Sequence, residues 1–157
     1  MKPVLGTLAL GTLLAISSAV IAANAPDPVI GTWKLNTSKS TGTTLPKSET
    51  RTYAASAAGG IALTWKRVGA DGKDSSVETT YKYDGKDYPV TGSPDFDTLS
   101  VKRVDANTVN STQKRMGKAV GTTTRTVSKD GKTLTLVSKL TNAKGEVTNT
   151  TLVYDRQ

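Results

Sequence analysis

Three Asp-Gly-Lys tripeptides constrain the fold of this chain more than any other feature of its sequence. They begin at Asp71, Asp84 and Asp130, and each separates two runs in which apolar and polar residues alternate. An Asp-Gly pair favours a tight β-hairpin, because both central positions of the turn need a positive φ. The same spacing is continued by further Gly-containing turns at Ala58–Gly60, Met116–Lys118 and Ala143–Gly145. The sequence therefore predicts a succession of hairpins.

Ten alternating segments between these turns are predicted strands. They are Ile30–Asn36, Ser48–Ser56, Ile61–Val68, Ser75–Asp84, Asp87–Val90, Asp97–Val104, Thr108–Arg115, Ala119–Ser128, Thr133–Thr141 and Glu146–Asp155. Short strands at this spacing are typical of a β-sandwich or a β-barrel. Beyond the N-terminal segment, no run places apolar residues at i, i+3, i+4 and i+7, so no long helix is predicted.

The even number of predicted strands allows the meander to close into a barrel, because its first and last strands then run antiparallel. Closure also removes the exposed edges of a long sheet. Residues Tyr154–Arg156 would then lie beside Gly31 and Trp33. We expect an all-β protein with a single antiparallel up-and-down β-barrel of about 8 to 10 strands. Its weakest predicted strand is Asp87–Val90, which is short and precedes a segment containing Gly and Pro.

The N-terminal segment has the pattern of a secretory signal peptide. Lys2 precedes the uncharged stretch Val4–Val20, and small residues between Ala22 and Ala25 offer a cleavage site. Gly, Thr and Ser interrupt the stretch, which weakens it as a permanent span of about 20 apolar residues. We expect residues 1–23 to be removed, with the boundary between 22 and 25, and residues 24–157 to form one domain. This pattern predicts a periplasmic or secreted protein without a stable membrane anchor.

The absence of His and Cys restricts the chemistry of the chain. It removes the usual general base near neutral pH, thiol catalysis and the commonest metal ligands. Pairs of aspartates at positions 71 and 74, 84 and 87, and 95 and 97 lie at predicted turns, where the backbone favours Asp, and they lack the spacing of an EF-hand loop. We expect no enzymatic activity, no metal and no cofactor. The remaining catalytic alternative is a hydrolase with two carboxylates, or a Ser and a Lys, inside the barrel.

The formal net charge of +8 favours anionic partners in general. The basic residues are dispersed, however, in runs no longer than two, and no recognition helix is predicted. These patterns are atypical of a nucleic-acid-binding domain. We expect a small-molecule ligand or an extracytoplasmic protein as the partner, and no nucleic acid.

Strand alternation places several arginines on the inward face of the predicted barrel. Arg67 has the parity of Ile61 and Trp65, and Arg125 has that of Val127. The planar guanidinium group suits a carboxylate or another anion. The candidate ligand-binding residues of the cavity or its mouth are Arg67, Arg115, Arg125, Trp65, Tyr81, Tyr83 and Tyr154. The alternative is a solvated rim of arginines around an aromatic core, since a register slip of one residue reverses every side chain.

Both ends of the chain resemble the lipocalin and fatty-acid-binding-protein superfamily. Residues 31–33, Gly-Thr-Trp, are similar to its Gly-x-Trp signature, and residues 153–156, Val-Tyr-Asp-Arg, resemble the last strand of fatty-acid-binding proteins. Residues 83–90 resemble small uncharacterised exported bacterial proteins of lipocalin-like type. The resemblance implies that Trp33 closes the barrel floor and that Arg156 packs over its indole, an arrangement favoured by cation–π attraction. Gly31 would allow the close backbone approach that closure needs.

Two departures from the family pattern bear on function. Fatty-acid-binding proteins hold a ligand carboxylate with an Arg two residues before the tyrosine of the last strand, and the matching position here is Leu152. The tyrosine is retained as Tyr154. Their helical lid between the first two strands is also missing, because Thr37–Lys47 is too short and too rich in Gly, Pro and Thr for two helices.

The sequence as a whole predicts a noncatalytic, extracytoplasmic, lipocalin-like protein that binds a small amphipathic or anionic ligand in its barrel. The alternative is a protein-interaction module on the same barrel, such as a periplasmic protease inhibitor or an envelope-associated factor. A hollow interior favours the first function, and a filled interior favours the second. In both cases the contact region is the barrel mouth, which we expect at Thr37–Lys47, Gly69–Asp74, Met116–Lys118 and Thr141–Gly145.

Overall fold

Hairpins organise residues 26–157, the part of the chain that the computed structural model describes. The strands of this part are β1 (Gly31–Leu35), β2 (Thr41–Gly42), β3 (Ser48–Ala55), β4 (Ile61–Val68), β5 (Asp74–Tyr81), β6 (Asp84–Thr91), β7 (Thr98–Arg103), β8 (Thr108–Arg115), β9 (Lys118–Val127), β10 (Thr133–Thr141) and β11 (Val147–Arg156). Each of the ten predicted strands is found within three residues of its predicted ends. The candidate signal peptide and its cleavage site lie outside the described residues.

The ten longer strands form one closed ring. Each strand from β3 to β10 pairs antiparallel with the next along the chain, and β1 pairs with both β3 and β11. The predicted fold class, a closed all-β up-and-down barrel, is therefore confirmed. The two-residue strand β2 is an addition that the sequence did not reveal. It pairs with β11 at Thr150 and Thr151, beyond the part of β11 that pairs with β1.

The segment between β1 and β3 carries no helical lid. The predicted absence of a lid is confirmed. Within residues 26–157 the segment forms a single 3₁₀ turn, Thr37–Lys39, followed by β2, and the sequence predicts neither of them. The side chain of Asn36 caps this turn by accepting a hydrogen bond from the N–H of Lys39. In the same described range, no helix is long and apolar enough to cross a membrane.

The aspartates of the three Asp-Gly-Lys tripeptides fix the backbone around them. Each glycine has a φ between 69° and 82°, and each Asp carboxylate accepts a hydrogen bond of 3.0–3.1 Å from the N–H of the Lys two positions later. Two of the tripeptides connect strands as predicted. The third is different, because β5 ends at Tyr81 and the register against β7 shifts between Asp84 and Asp87. The predicted strand end at Asp84 is wrong, since here the Asp-Gly geometry makes a bulge in β6.

Strand β6 pairs more extensively with β7 than with β5. The short predicted strand Asp87–Val90 is a true strand and forms the centre of β6. Its pairing with β5 is limited to two register positions, at Val90 and Thr91. The Thr79 hydroxyl of β5 adds a hydrogen bond of 2.9 Å to the carbonyl of Pro89, which has no N–H to offer to a neighbouring strand. The wall therefore has a weakly paired seam between β5 and β6.

Trp33 closes the floor of the barrel and is 0% exposed. Its indole N–H donates to the Val29 carbonyl at 2.7 Å, and the guanidinium carbon of Arg156 lies 4.1 Å from its ring centroid. A Cβ on Gly31 would lie 2.6 Å from Nη1 of Arg156, so the glycine makes room for the cation. The Arg156 guanidinium also donates to three backbone carbonyls, those of Pro28, Ile30 and Gly131.

Candidate functional site

The barrel interior is apolar next to the floor. Above it, the buried apolar side chains of Val77, Val90 and Leu99 on β5 to β7 share the interior with polar side chains of β8 to β11. The lower half, next to the floor, is filled by side chains that are at most 4% exposed: Val29, Trp33, Val101, Val109, Val127, Leu134 and Leu136. In the upper half, β8 to β11 turn small polar side chains inward. We call this set the polar recess, and it consists of Ser111, Gln113, Thr123, Ser138 and Thr150.

Strand register makes the polar recess continuous across four strands. Thr123 pairs with Ser111 of β8 and with Ser138 of β10, and Ser138 pairs with Thr150 of β11. The Thr123 and Ser138 hydroxyls are 2.8 Å apart. These four residues have the inward parity of their strands and are half-buried.

Gln113 is the most buried member of the polar recess, with 7% of its surface exposed. Its amide nitrogen donates to the Thr123 hydroxyl at 3.0 Å and to the Ser111 hydroxyl at 3.4 Å. Its amide oxygen, Oε1, has no hydrogen-bond partner. Buried polar atoms are normally paired, so an unpaired acceptor marks a position that another group is suited to fill.

Arg125 of β9 lies just below the polar recess and is 5% exposed. Its Nη1 donates to the Tyr81 hydroxyl at 2.9 Å and its Nη2 to the Tyr83 hydroxyl at 3.0 Å. The ring centroid of Tyr53 lies 5.2 Å from its guanidinium carbon. Its Nε has no hydrogen-bond partner. Arg125 therefore contacts three tyrosines, and its Nε–H has no acceptor.

Within residues 26–157, no carboxylate pairs with Arg125, and the ion pairs of this part involve other basic residues. Asp27 interacts with Tyr83 but is ion-paired with Arg103. Burial raises the pKa of Tyr81 and of Tyr83, so both phenols are neutral at pH 7. The positive charge of Arg125 is thus buried without an anion beside it.

A second group of buried charges surrounds Glu49 on β3, which is 1% exposed. Arg51 Nε donates to its Oε1 at 2.5 Å, the Tyr154 hydroxyl donates to the same atom at 2.7 Å, and Arg67 Nε donates to Oε2. Burial opposes ionisation, but the positive charges of Arg51 and Arg67 outweigh it and hold the pKa of Glu49 below its usual range. Tyr154, one of the predicted ligand-binding residues, therefore donates to a carboxylate of the chain itself.

Arg115 organises the rim of the barrel. Its guanidinium donates to the carbonyl of Asn142 at 3.3 Å and to that of Asp95, which joins the β6–β7 and β10–β11 loops. Beside this bridge, the Phe96 ring stacks on Trp65 with ring centroids 6.4 Å apart. The loops thus cover part of the mouth.

The structure divides the seven sequence-predicted ligand-binding residues into three groups: Arg125 with Tyr81 and Tyr83, Arg67 and Trp65 with Tyr154, and Arg115 alone at the rim. The second group meets through Arg51, whose guanidinium carbon lies 4.8 Å from the Trp65 centroid and 5.5 Å from the Tyr154 centroid. That these residues bind a ligand stays a prediction.

Sequence reasoning missed Glu49 and Arg51, which lie at the centre of the second group, and the unpaired amide of Gln113. The available signal was the alternation of β3, where Glu49, Arg51 and Tyr53 share one face and threonines occupy the other. That signal is hard to interpret, because charged residues are rarely buried unless they are paired. Their inward direction follows only from the register, in which Arg51 lies opposite both Trp33 and Trp65.

Two shallow grooves, of about 400 and 390 Å³, open on the outer wall. Their linings are mostly outward-facing Thr, Ser and Lys side chains, such as Thr122 in the first and Lys66 in the second. In residues 26–157, no cluster of three or more acidic side chains is suited to hold a metal ion. No family model matches the chain and no curated protein matches it, so its function has to be argued from the site.

Proposed function

We propose that this protein is a noncatalytic binder of a small anionic molecule, which it holds in the polar recess with Arg125 as the anchor. The observation that carries the proposal is the buried guanidinium of Arg125, which has an unused Nε donor and no carboxylate beside it. An unpaired charge in a protein interior costs several kcal/mol. An anionic group of the ligand would supply both the counter-charge and the missing acceptor.

The charge balance of the interior supports an anionic ligand. Arg51, Arg67 and Arg125 contribute three positive charges, and Glu49 contributes one negative charge. A cavity with excess charge of one sign and low-dielectric walls attracts ions of the opposite sign. The rings of Tyr53 and Trp65 add flat apolar surface beside the arginines, which suits a ligand with a small apolar part.

The proposal also includes the superfamily and the cellular location of the protein, and both are argued from the two ends of the chain. The closed ten-strand barrel and the packing of Arg156 on Trp33 support membership of the lipocalin and fatty-acid-binding-protein superfamily. The N-terminal sequence supports export to the periplasm or the medium. Both belong to the proposal together with the binding activity.

Native mass spectrometry of the protein purified from its own host tests the proposed function. We expect an adduct of a small acid on the wild type, and its loss from Arg125→Met, which keeps the length of the side chain but not its charge. Lys66→Met is the matched control, because Lys66 is an exposed cation on the outer wall, and it should keep the adduct. An adduct that persists in Arg125→Met would refute the role of Arg125, and no adduct together with no binding of added organic acids would refute the function.

A second candidate is a protein-interaction module, and exposed apolar residues at the mouth favour it. Met116 is 84% exposed on the β8–β9 turn and Val147 is 54% exposed at the start of β11. Met116→Asp should abolish capture of a protein partner under this alternative while leaving small-acid binding unchanged. The Arg125 proposal predicts the opposite sensitivity, because its ligand lies inside the barrel.

A further inference from the structure

We propose that the bound anion is a hydroxyl-bearing carboxylate of about six carbons, such as a sugar acid, rather than an alkyl acid. This inference rests on the proposed function and adds the chemical class of its ligand. It starts from two of the three unpaired buried side-chain atoms in residues 26–157, the Nε donor of Arg125 and the Oε1 acceptor of Gln113; the third, Nε of Arg115, lies at the rim. The first requires an acceptor, which a carboxylate provides, and the second requires a donor, which a hydroxyl provides.

The rise along β9 between the levels of Arg125 and Thr123 sets the length of the ligand. Thr123 lies two residues above Arg125 on β9, which is about 7 Å along a strand. The Gln113 amide reaches this level, because its nitrogen bonds the Thr123 hydroxyl at 3.0 Å. A linear six-carbon acid spans a comparable distance with its carboxylate at Arg125 and a hydroxyl at Gln113.

The packed lower half of the barrel decides the direction in which the ligand extends. Below Arg125 the interior is filled by Trp33, Val127 and Leu134, each at most 2% exposed. A long alkyl tail has no space there, so the ligand has to run upward from its anchor. That path is lined by the hydroxyls of Ser111, Thr123 and Ser138.

An alkyl chain in the polar recess would leave these hydroxyls and the Gln113 acceptor without new partners. Leaving one buried polar group unpaired typically weakens binding by about tenfold or more. Hydroxyls on the ligand would pair with them. The recess therefore discriminates by chemistry between acids of equal charge and similar length.

Isothermal titration with three probes of matched carbon number tests the inference. D-gluconate carries the carboxylate and hydroxyls, hexanoate carries only the carboxylate, and D-glucose carries hydroxyls without charge. We expect gluconate to bind at least about tenfold more tightly than hexanoate, and glucose not to bind measurably. D-glucuronate serves as a second, cyclic hydroxy acid of the same class.

Two variants test whether the polar recess causes the expected preference for gluconate over hexanoate. Gln113→Met removes the unpaired acceptor and Thr123→Val replaces a hydroxyl with a methyl group of the same shape, and both should weaken gluconate without weakening hexanoate. Thr122→Val, on the outer face of the same strand, is the matched control. Thermal melts of each variant without ligand separate a folding defect from a binding defect.

The outcomes distinguish the inference from the function beneath it. Hexanoate binding as tightly as the hydroxy acids, with loss in Arg125→Met, would overturn the hydroxy-acid inference and leave the proposed function intact. Equal losses for gluconate and hexanoate in Gln113→Met would also overturn it. Absence of binding by every acid at millimolar concentration would overturn both.

Discussion

Arg125 and Glu49 show two ways in which one barrel buries a charge. Glu49 is held between Arg51 and Arg67, and its carboxylate oxygens accept hydrogen bonds from both arginines and from Tyr154. Arg125 has neutral phenols instead of a counter-ion. In the first arrangement the carboxylate is paired within the chain, whereas in the second the proposed ligand would supply the anion. This difference is the reason that the proposed binding site is at Arg125 and not at Glu49.

Removing the Glu49 charge should destabilise the fold. Glu49→Gln leaves Arg51 and Arg67 buried or half-buried without their carboxylate, and breaking one partner of a buried ion pair typically costs about 3–5 kcal/mol. Urea unfolding at pH 7 measures this loss. Glu78→Gln, an exposed position on the outer face of β5, is the control and should change stability little. A loss no larger than that of the control would contradict the buried network.

The unfolding free energies of the wild type and of Glu49→Gln should depend differently on pH. The folded-state pKa of Glu49 lies below its ordinary value of 4.5, so its stabilisation is complete above that pH and is lost as the pH falls through the folded-state pKa. The difference in unfolding free energy between wild type and Glu49→Gln should be constant from pH 6 to 8 and shrink below about pH 4.5. A difference that does not change with acidification would mean that Glu49 is not ionised in the fold.

At the floor, Trp33 and Arg156 should act as a pair. Trp33→Ala is expected to cost about 3–5 kcal/mol. Arg156→Met should cost about 1–3 kcal/mol, because it removes the cation over the indole and leaves backbone carbonyls without a donor. The double variant should lose less than the sum by about 0.5–2 kcal/mol. Additive losses in urea unfolding would argue against the contact.

The elements of the barrel are not equally well joined. Strands β10 and β11 pair at nine register positions, from Thr133 to Thr141 of β10, whereas β5 and β6 pair at two. Local opening begins where few backbone hydrogen bonds hold neighbouring strands. The β5–β6 seam is therefore the weakest part of the closed wall.

Hydrogen exchange should show this seam directly. We expect backbone amides of β5 and β6 that face each other to exchange by local opening, well before the amides between β10 and β11, which should exchange only on global unfolding. Exchange followed by mass spectrometry with peptides covering Asp74–Thr91 and Thr133–Arg156 makes the comparison. Equal protection of the two regions would show that the seam is closed by interactions other than backbone pairing.

Patterns within a few neighbouring residues predict the strands and hairpins. The direction of the buried charged side chains depends instead on pairing between strands that are distant in the sequence. The hairpins follow from Asp-Gly chemistry and from alternation, both of which act within a few residues. Asp84 and Gly85 have the Asp-Gly sequence that predicts a hairpin turn, but they form a bulge within β6. Strand β2 has only two residues, which is too short for a recognisable alternation. The inward direction of Glu49 and Arg51 depends on pairing with Trp33 and Trp65, which no single segment of sequence contains.

On the scale of the whole molecule, the barrel combines an apolar base with an upper half that carries the polar side chains of β8 to β11. The resemblance at the two termini predicts the base, where Trp33, Gly31 and Arg156 meet. It does not predict the polar recess, because Leu152 stands where the resemblance leads us to expect an arginine and Tyr154 donates to Glu49. The proposed anchor is instead Arg125, which has the inward parity of its strand.

The resonance of the Arg125 Nε–H group in a ¹H–¹⁵N NMR spectrum tests the central claim most directly. It is to be recorded while adding whichever of D-gluconate, D-glucuronate and hexanoate binds most tightly, and Arg125→Lys assigns it. The internal control is Arg156, whose Nε already donates to the Gly131 carbonyl at 2.5 Å. We expect the Arg125 signal to shift on saturation, because its unused donor gains an acceptor, while the Arg156 signal stays in place. Saturation of the protein with an unchanged Arg125 signal would contradict binding inside the barrel.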